Sequence, residues 1–345
     1  MVKVAIIGAS GYTGCELMRL SVQHPQIELV AVSSEKFAGK AVGEVFPSLG
    51  TALTLTFHPL AAQEDLGKAD FVFSALPHSQ AMDVVPLLIQ QGKKVVDLSA
   101  DFRLRSAGLY EQWYKKHTAP ALLKESVYGL SEIYREKIRD AQLIANPGCY
   151  PTAALLALIP AVQNDLIDLT GIIIDAKSGV SGAGRNPVLT SHFDEANEGV
   201  TPYKLGAHQH TPEIEQELGL IAKEQVSLLF SPHLIPMDRG ILVTAYATPK
   251  TTIAQKDILE VYHTFYQKET FVRICTPGTV PSTHQVKGSN YCDVGVIADV
   301  KTNRIILVAA IDNLIKGASG QAVQNMNIMA GFAEESGITQ LPLFP

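Results

Sequence analysis

The chain has 345 residues, of which 46% are hydrophobic and 18% are charged, so it is long enough for two globular domains and too apolar for intrinsic disorder. Its formal net charge of -6 provides no basic surface for nucleic acid, and no apolar run reaches the ~18 residues that a membrane-spanning helix needs. The scattered cysteines and the lack of a signal-peptide pattern lead us to expect a cytoplasmic protein with no metal site and no nucleic-acid or membrane partner.

The first half alternates short apolar runs with helical patterns. The predicted elements are strands at 2–7, 27–33, 70–76 and 94–98, a helix at 12–23, and a second helix up to 91 that has Ser79 as its N-cap. Continuous apolar strands separated by helices are typical of a parallel sheet that is covered on both faces. This half therefore predicts an α/β fold.

The sequence GASGYTG at 8–14 is a glycine-rich turn between the first strand and the first helix. Glycines in this position allow a tight turn and a close approach of the backbone to a pyrophosphate, which binds at the helix N-terminus. Because the turn directly follows an apolar strand, it predicts a Rossmann dinucleotide-binding domain rather than an ordinary strand–helix connection. The residues expected to contact the dinucleotide are Gly8, Ser10, Gly11, Tyr12, Thr13 and Gly14.

The end of the second strand bears on the choice of dinucleotide. NAD sites usually carry an Asp or Glu there, which binds the ribose 2′-OH. Here Ser33 and Ser34 come first. Their hydroxyl groups with a nearby Lys36 or Lys40 suit a 2′-phosphate, whereas the carboxylate of Glu35 would repel it. We predict NADP(H) as the cofactor, with Ser34 as one of its contacts.

The sequence NPGCYPTAA at 146–154 sets Cys149 at the start of a helix, after a strand-like segment at 142–146. A helix N-terminus stabilises a thiolate through its dipole and its unpaired N–H groups, so this thiol is a candidate nucleophile. The alternative is a buried cysteine that serves as a small hydrophobe. That alternative fits the three cysteines that lie in helix or strand patterns, which are Cys15, Cys275 and Cys292.

The second half has longer predicted strands, and its strands and helices no longer alternate regularly. Strands are predicted at 169–177, 226–234, 241–247, 291–300 and 304–311, and helices at 257–267 and 313–331. A short turn joins the last two strands, which favours a mixed, largely antiparallel sheet in an α+β domain. The glycine-rich loop at 177–185 either admits a cofactor ring, with Arg185 meeting an anion, or is a flexible hairpin loop.

The sequence HQHTPEI at 208–214 offers an acid/base partner for the thiol. Thr211 and Pro212 resemble the N-cap and the first residue of a helix, which places His208 and His210 on the preceding loop. Histidines two apart in an extended segment point to opposite sides, so we expect one to face the thiol and the other to face the substrate or a domain wall. A metal site is disfavoured because no third ligand has suitable spacing.

The pattern of strands and helices changes near Pro147, and this change predicts the domain organisation. We expect a nucleotide-binding domain at 1–147 and a catalytic and dimerisation domain at 148–312. A helical segment at 313–345 is expected to return to the first domain.

Motifs along the whole chain resemble those of the N-acetyl-γ-glutamyl-phosphate reductase family of arginine biosynthesis. They are GASGYTG, ALPH at 75–78, DLSADFRL at 97–104, YGLSE at 128–132, NPGCYPTAA, SGVSGAGR at 178–185, HQHTPEI, PMDRGI at 236–241 and DNLIKGASGQAVQ at 312–324. The family is similar in fold to aspartate-semialdehyde dehydrogenase, which combines a Rossmann domain with a mixed-sheet catalytic and dimerisation domain.

The resemblance implies a reaction and roles for particular residues. Cys149 would attack an acyl phosphate and expel inorganic phosphate, hydride from NADPH would reduce the thioester, and His208 would be the acid/base group. The substrate carboxylate or phosphate would be held by His210, Glu213, Arg103 and Arg185. Further cofactor contacts would be Pro77, Ser178, Gly179, Asn313 and Lys316, and the enzyme would be a homodimer or homotetramer.

Two departures from the family pattern and three alternatives remain. Family members often have arginine at the position of Glu35, and the histidine motif is HQH here rather than HRH. A related reductase acts on a carrier-protein-linked aminoadipyl phosphate in lysine synthesis. A cysteine–histidine acyl hydrolase would need no hydride, and a dinucleotide-sensing regulator would need no thiol.

Overall fold

The computed structural model describes residues 1–60 and 66–344, which form two compact units. Unit 1 comprises residues 1–147 and 318–340, and unit 2 comprises residues 148–317 and 341–345. The predicted C-terminal segment 313–345 is thus divided, because its first five and last five residues belong to unit 2.

The helices and strands have the following bounds. The strands are β1 Val2–Ile7, β2 Ile27–Ser33, β3 Phe57–His58, β4 Phe71–Ser74, β5 Lys94–Asp97, β6 Val127–Tyr128, β7 Leu143–Ala145, β8 Ile172–Ser178, β9 Thr201–Pro202, β10 Leu228–Leu234, β11 Ile241–Ala247, β12 Val272–Ile274, β13 Cys292–Asp299 and β14 Arg304–Ile311. The α-helices are α1 Tyr12–Gln23, α2 Val42–Val45, α3 Ala81–Gln90, α4 Ala107–Trp113, α5 Ser131–Arg139, α6 Cys149–Gln163, α7 Phe193–Ala196, α8 His210–Ala222, α9 Gln255–Tyr266 and α10 Gly320–Ala330. Short 3₁₀ segments lie at Pro47–Leu49, Pro120–Leu123, Val180–Ala183, Leu189–Ser191 and Thr283–Gln285, and a π-helical segment lies at Ile315–Ser319.

Unit 1 is built on a parallel sheet with the strand order β3-β2-β1-β4-β5-β7-β6. Every residue of β4 is buried, as are the last four of β1, so the central strands are covered on both faces. The strand order reverses direction at β1, and the glycine turn follows that strand at the carboxyl edge where such sheets bind ligands. The predicted parallel α/β fold is confirmed.

The predicted N-cap of α3 is wrong. The helix begins at Ala81, and Ser79 has a left-handed backbone conformation with φ of 67°. The carboxylate of Asp101 instead accepts the N–H of Ser79 at 2.7 Å and the N–H of Met82 at 3.0 Å. A side chain distant in sequence therefore satisfies the amides at the start of this helix, which the local pattern does not indicate.

Unit 2 is built on a mixed sheet with the strand order β12-β13-β14-β11-β8-β10-β9. Four of its strand pairs are antiparallel, and the pairs β12–β13 and β8–β10 are parallel. The helix α6 packs against β11, β13 and β14 and buries all of residues 150–162. The predicted mixed, largely antiparallel sheet is confirmed, and α6, which begins at Cys149, is its central covering helix.

Pro160 lies inside α6 and lacks the N–H that would bond to the carbonyl of Leu156. The hydroxyl group of Tyr266 donates to that carbonyl at 2.7 Å, and the hydroxyl group of Tyr262 donates to the carbonyl of Ala157 at 2.6 Å. Both tyrosines come from α9, so this helix supplies hydrogen bonds that the apolar helix α6 needs in the core.

Candidate active site

Cys149 is the first residue of α6, and Gly148 is the N-cap in an extended conformation. The carbonyl of Gly148 accepts hydrogen bonds from both the N–H (2.9 Å) and the hydroxyl group (3.0 Å) of Thr152. Cys149 is partly exposed, whereas residues 150–162 of the helix are buried. The turn that presents the sulfur is therefore fixed on its helical side.

Glu213 fixes the same turn from α8. Its Oε1 accepts the N–H of Gly148 at 2.8 Å, and the residue is only 2% exposed. The predicted substrate contact thus connects the N-terminal ends of α6 and α8, where the helix dipoles favour a carboxylate.

His208 is buried within a ring of aromatic side chains. Its ring centroid lies 5.8 Å from that of Tyr150, 5.5 Å from Tyr203, 5.2 Å from Phe230 and 4.8 Å from His210. Because Tyr150 directly follows the thiol in α6, this packing holds His208 beside the start of that helix.

The predicted arrangement of the two histidines is wrong in two respects. The helix α8 begins at His210 with Gln209 as its N-cap, two residues before the predicted cap Thr211. Both histidine rings contact the ring of Tyr150, with centroids 5.8 and 5.9 Å apart from it, so they lie on the same side. Gln209 is in a helical conformation, with φ of -63° and ψ of -15°, so the alternation expected of an extended segment does not apply.

The environment of His208 keeps its ring neutral. Burial, and secondly the charge of Lys204, lower the pKa of His208 from 6.5 to about 4. Its Nδ1 accepts the backbone N–H of His210 at 3.1 Å, so the neutral ring carries its proton on Nε2. His208 is therefore a hydrogen-bond donor at Nε2 near neutral pH.

Two tyrosines extend the site beyond the predicted residues. The hydroxyl group of Tyr203 donates to that of Tyr150 at 3.2 Å, and Tyr150 donates to the carbonyl of His233 at 3.3 Å. Burial raises the pKa of Tyr150 and raises that of Tyr203 to about 12, so both remain neutral. Tyr150 adjoins the cysteine in sequence and could have been selected for that reason, whereas no local pattern indicates Tyr203.

The predicted cofactor contacts of unit 2 are engaged inside that unit. Asn313 accepts the N–H of Gly240 at 2.7 Å and donates to Ser181 at 3.0 Å. Ser178 is buried and donates to the carbonyl of Gly179 at 3.0 Å.

Lys316 and Arg185 lie in opposite environments within unit 2. Lys316 is fully buried, with its Nζ 5.8 Å from the ring centroid of Phe271. Arg185 is exposed on the loop that follows the 3₁₀ segment Val180–Ala183. Of these two predicted contacts, only Arg185 presents its side chain to solvent.

The glycine turn of unit 1 has the tight geometry expected of it. Gly8 has φ of 75°, and a Cβ added there would lie 2.6 Å from the carbonyl oxygen of Ala75. A Cβ on Gly11, the N-cap of α1, would meet no atom within 4 Å, so there is open space at the helix N-terminus. Pro77 is exposed and lies three residues beyond the end of the neighbouring strand β4.

The residues that follow β2 form a local hydrogen-bond network. The hydroxyl group of Ser34 donates to that of Ser10 at 2.8 Å and accepts the N–H of Phe37 at 3.3 Å. The carboxylate of Glu35 accepts the N–H of Leu60 at 2.6 Å. The carboxylate of Glu35, which is expected to repel a 2′-phosphate, is therefore held by the loop after β3.

Arg103 is buried in unit 1, where its guanidinium supports the backbone. Its Nε donates to the carbonyl of Asn146 at 2.8 Å, and its Nη2 donates to that of Leu98 at 2.8 Å. Because Asn146 begins the NPGC sequence, these bonds fix the chain just before the turn that carries the thiol.

Within 1–60 and 66–344, no three His, Cys, Asp or Glu side chains are grouped so that they could hold a metal ion. Over the same residues, no helix is both long enough and apolar enough to cross a membrane.

Two family models match the chain and together span most of it. A model described as the NAD binding domain of semialdehyde dehydrogenase matches residues 3–141. A model described as the dimerisation domain of semialdehyde dehydrogenase matches residues 149–313. The second match begins at the candidate nucleophile.

Curated relatives match over the full length. Proteins named N-acetyl-gamma-glutamyl-phosphate reductase from Pelobacter propionicus and Geotalea daltonii are each 53% identical over 346 residues, which cover 100% of this chain and 100% of each relative. A protein of the same name from Geobacter metallireducens is 52% identical with the same coverage.

Solved structures share the fold at low sequence identity. Aspartate semialdehyde dehydrogenase II from Vibrio cholerae, complexed with ASA, superposes with a TM-score of 0.73 at 17% identity, covering 96% of this chain and 98% of that one. Aspartate semialdehyde dehydrogenase from Candida albicans, solved with NADP, superposes with a TM-score of 0.71 at 16% identity, covering 96% and 99%. The predicted fold class is thereby confirmed over the 96% of the chain that these structures cover.

Proposed function

Because the chain belongs to the N-acetyl-γ-glutamyl-phosphate reductase family, we propose that Cys149 carries out the family's reaction, which reduces N-acetyl-γ-glutamyl phosphate to N-acetylglutamate 5-semialdehyde in arginine biosynthesis. The observation that carries this role is the position of Cys149 at the start of α6. Glu213 holds the preceding N–H, and the buried ring of His208 packs on Tyr150.

The thiolate of Cys149 adds to the acyl carbon of the substrate. The bond between that carbon and the phosphate oxygen then breaks, inorganic phosphate leaves, and the acyl group becomes a thioester of Cys149. At the N-terminus of α6 the helix dipole favours negative charge on the sulfur and on the substrate oxygen.

The second half of the reaction regenerates the thiol group. A dinucleotide, when bound, would supply the hydride that reduces the thioester carbon. The oxyanion that results re-forms the C=O bond, the C–S bond breaks, and the aldehyde leaves Cys149 as the thiolate. A thioester suits this step because it accepts hydride far more readily than a carboxylate does.

His208 acts in both halves as a neutral hydrogen-bond donor. Its Nε2–H donates to the substrate oxygen that gains negative charge, as a neutral histidine does in other enzymes that stabilise oxyanions. A ring with a pKa of about 4 is a weak base, so donation from Nε2 contributes more than removal of the thiol proton. His210 and the exposed Arg185 are the proposed contacts for the carboxylate or phosphate of the substrate.

The cofactor is proposed to be NADP(H), held by the glycine turn of unit 1. The open space at Gly11 fits a pyrophosphate at the N-terminus of α1. The carboxylate of Glu35 accepts the N–H of Leu60, so we propose that it does not face the ribose 2′-phosphate. The groups proposed to lie beside that phosphate are the neutral hydroxyl groups of Ser10 and Ser34. The remaining predicted contacts for the dinucleotide are Ser178, Gly179, Asn313 and Lys316. We also propose that the protein is cytoplasmic.

The family model that covers unit 2 is that of a dimerisation domain, and we propose a homodimer or homotetramer formed through the open face of its sheet. Leu229, Ile173, Tyr246 and Ile306 are neighbours in register across four adjacent strands. Leu229 is 52% exposed, Ile173 is 41% exposed and Tyr246 is 37% exposed. An in-register apolar row on the face opposite α6 is suited to packing against a second sheet.

The reverse reaction tests the activity, the substrate and the cofactor together. The enzyme is given N-acetylglutamate 5-semialdehyde, phosphate and NADP, and reduction of the nucleotide is followed. We expect turnover that depends on phosphate and exceeds the rate with NAD. Faster turnover of the carrier-linked aminoadipate semialdehyde would assign the lysine-pathway substrate, and thioester hydrolysis without any nucleotide would assign the hydrolase.

A further inference from the structure

The backbone of Gly317 lies directly against the candidate nucleophile. A Cβ added to Gly317 would be 2.9 Å from the Cβ of Cys149 and 3.3 Å from its Cα. It would also be 3.3 Å from the Cδ1 of Ile311. Any residue larger than glycine would therefore displace Cys149 or its neighbours.

The chain around Gly317 is held by Asp312, which is fully buried. One carboxylate oxygen of Asp312 accepts the N–H of Leu314 at 2.8 Å and that of Ile315 at 3.2 Å. The other oxygen accepts the N–H of Gly288 at 2.7 Å. The backbone carbonyl of Asp312 accepts the N–H of Gly317 itself at 2.9 Å.

The segment that results is irregular, since π-helical hydrogen bonds begin at Ile315. Such segments are rare and occur often at functional sites, where surrounding contacts must hold them in place. Here a buried carboxylate with three backbone donors supplies those contacts. Arg239 offsets part of its charge, with Nη1 3.7 Å from the Oδ2 of Asp312.

We propose that Asp312 and Gly317 are positioning residues for Cys149. Asp312 fixes the backbone conformation of residues 312–317. Because Gly317 has no side chain, this backbone packs directly against the Cβ of Cys149 and forms one wall of the thiol site. The wall restricts the sulfur to the position from which it attacks the acyl carbon. This inference depends on the proposed role of Cys149 as nucleophile.

The test is Gly317→Ala, compared with Gly295→Ala as a matched control. Gly295 lies in β13 of the same unit, and a Cβ there would be 2.7 Å from the Cδ of Pro281, so the control crowds a site away from the thiol. We expect Gly317→Ala to lower kcat at least about tenfold, since a misplacement of about 1 Å costs about 10²-fold.

The rate at which iodoacetamide alkylates Cys149, measured against pH, separates positioning from general destabilisation. We expect Gly317→Ala and Asp312→Asn to change this profile, and Gly295→Ala to leave it like that of the wild type. The double variant Ile311→Val/Gly317→Ala removes the contact with Cδ1 and keeps the contact with Cys149. It should retain the low kcat, and Asp312→Asn, which adds no atom beside Cys149, keeps the inference testable if both glycine variants fail to fold.

The outcomes distinguish this inference from the proposed function. If Cys149→Ser keeps reductase activity, the nucleophile is wrong and the proposed function fails with it. If Cys149→Ser is inactive, Cys149 remains the proposed nucleophile. If in addition the folded Gly317 variants match Gly295→Ala in kcat and in alkylation profile, the positioning role is overturned.

Discussion

His208 illustrates how much burial changes the chemistry of one residue. Its pKa of about 4 in the folded state lies below the ordinary value of 6.5, so between these values the unfolded chain binds a proton that the folded chain does not. Its contribution to stability is therefore complete above pH 6.5 and is lost as the pH falls from 6.5 to 4.

The free energy of unfolding should fall as the pH is lowered from about 7 to about 5, and we expect this fall to be smaller in His208→Asn than in the wild type. The exposed His263→Asn should leave that decrease unchanged. In the reductase assay, His208→Asn should lower kcat by about 10²–10³, the usual loss for a donor to an oxyanion. An inflection near pH 6.5 in the wild-type rate that disappears in His208→Asn would contradict the neutral ring.

Glu213 is expected to act through its hydrogen bond to Gly148. Glu213→Gln keeps an oxygen acceptor for that N–H, whereas Glu213→Leu leaves a buried N–H without one at a cost of about 1–3 kcal/mol. Urea denaturation should therefore show a clear loss of stability for Glu213→Leu and a smaller loss for Glu213→Gln. Equal losses would mean that the charge matters and the hydrogen bond does not.

At the scale of elements, Tyr266 and Pro160 should be coupled energetically. Tyr266→Phe leaves the buried carbonyl of Leu156 without its donor, so we expect a loss of about 1–3 kcal/mol in the free energy of unfolding. Pro160→Ala restores a backbone N–H that can bond to the same carbonyl. In that background Tyr266→Phe should cost less, and a double-mutant cycle measures the difference. Additive effects would show that the two donors do not share this acceptor.

The long elements could be predicted from the sequence because their signals are local. Apolar runs and helical periodicity locate β1, α1, β2, β11 and β14 at the residues where the structure has them. The two-residue strands β3, β6 and β9 escape prediction because only pairing with a distant strand defines them. The start of α3 escapes for the same reason, since Asp101 caps it from another loop.

The residues of the candidate site likewise fall into those that local sequence indicates and those that it does not. Cys149 and His208 could be selected from short motifs at chain turns, and the structure places both in unit 2 near Tyr150. Tyr203 and Gly317 could not be selected, because their significance lies in contacts made across the fold. Gly317 and Gly320 inside the predicted helix 313–331 are a local sign of a close backbone approach, but the sequence does not show which residue they approach.

For the whole molecule, the open sheet face predicts how association can be disrupted. Leu229→Glu places a charge in the apolar row shared with Ile173 and Tyr246, so we expect the oligomer to dissociate toward monomers in light scattering. Val300→Glu is the matched control, because Val300 is 74% exposed and lies just beyond the end of β13. If Leu229→Glu leaves the mass unchanged, subunits associate through another surface.

The formation of a thioester on Cys149 tests the central claim most directly. The enzyme is mixed with N-acetyl-γ-glutamyl phosphate without any nucleotide, quenched in acid, and digested for mass spectrometry while released phosphate is measured. We predict a stoichiometric burst of phosphate and an acyl group on the peptide that contains Cys149, which NADPH added before the quench removes as the aldehyde. Phosphate release without an adduct, or an adduct on Cys15, Cys275 or Cys292 instead, would contradict the mechanism.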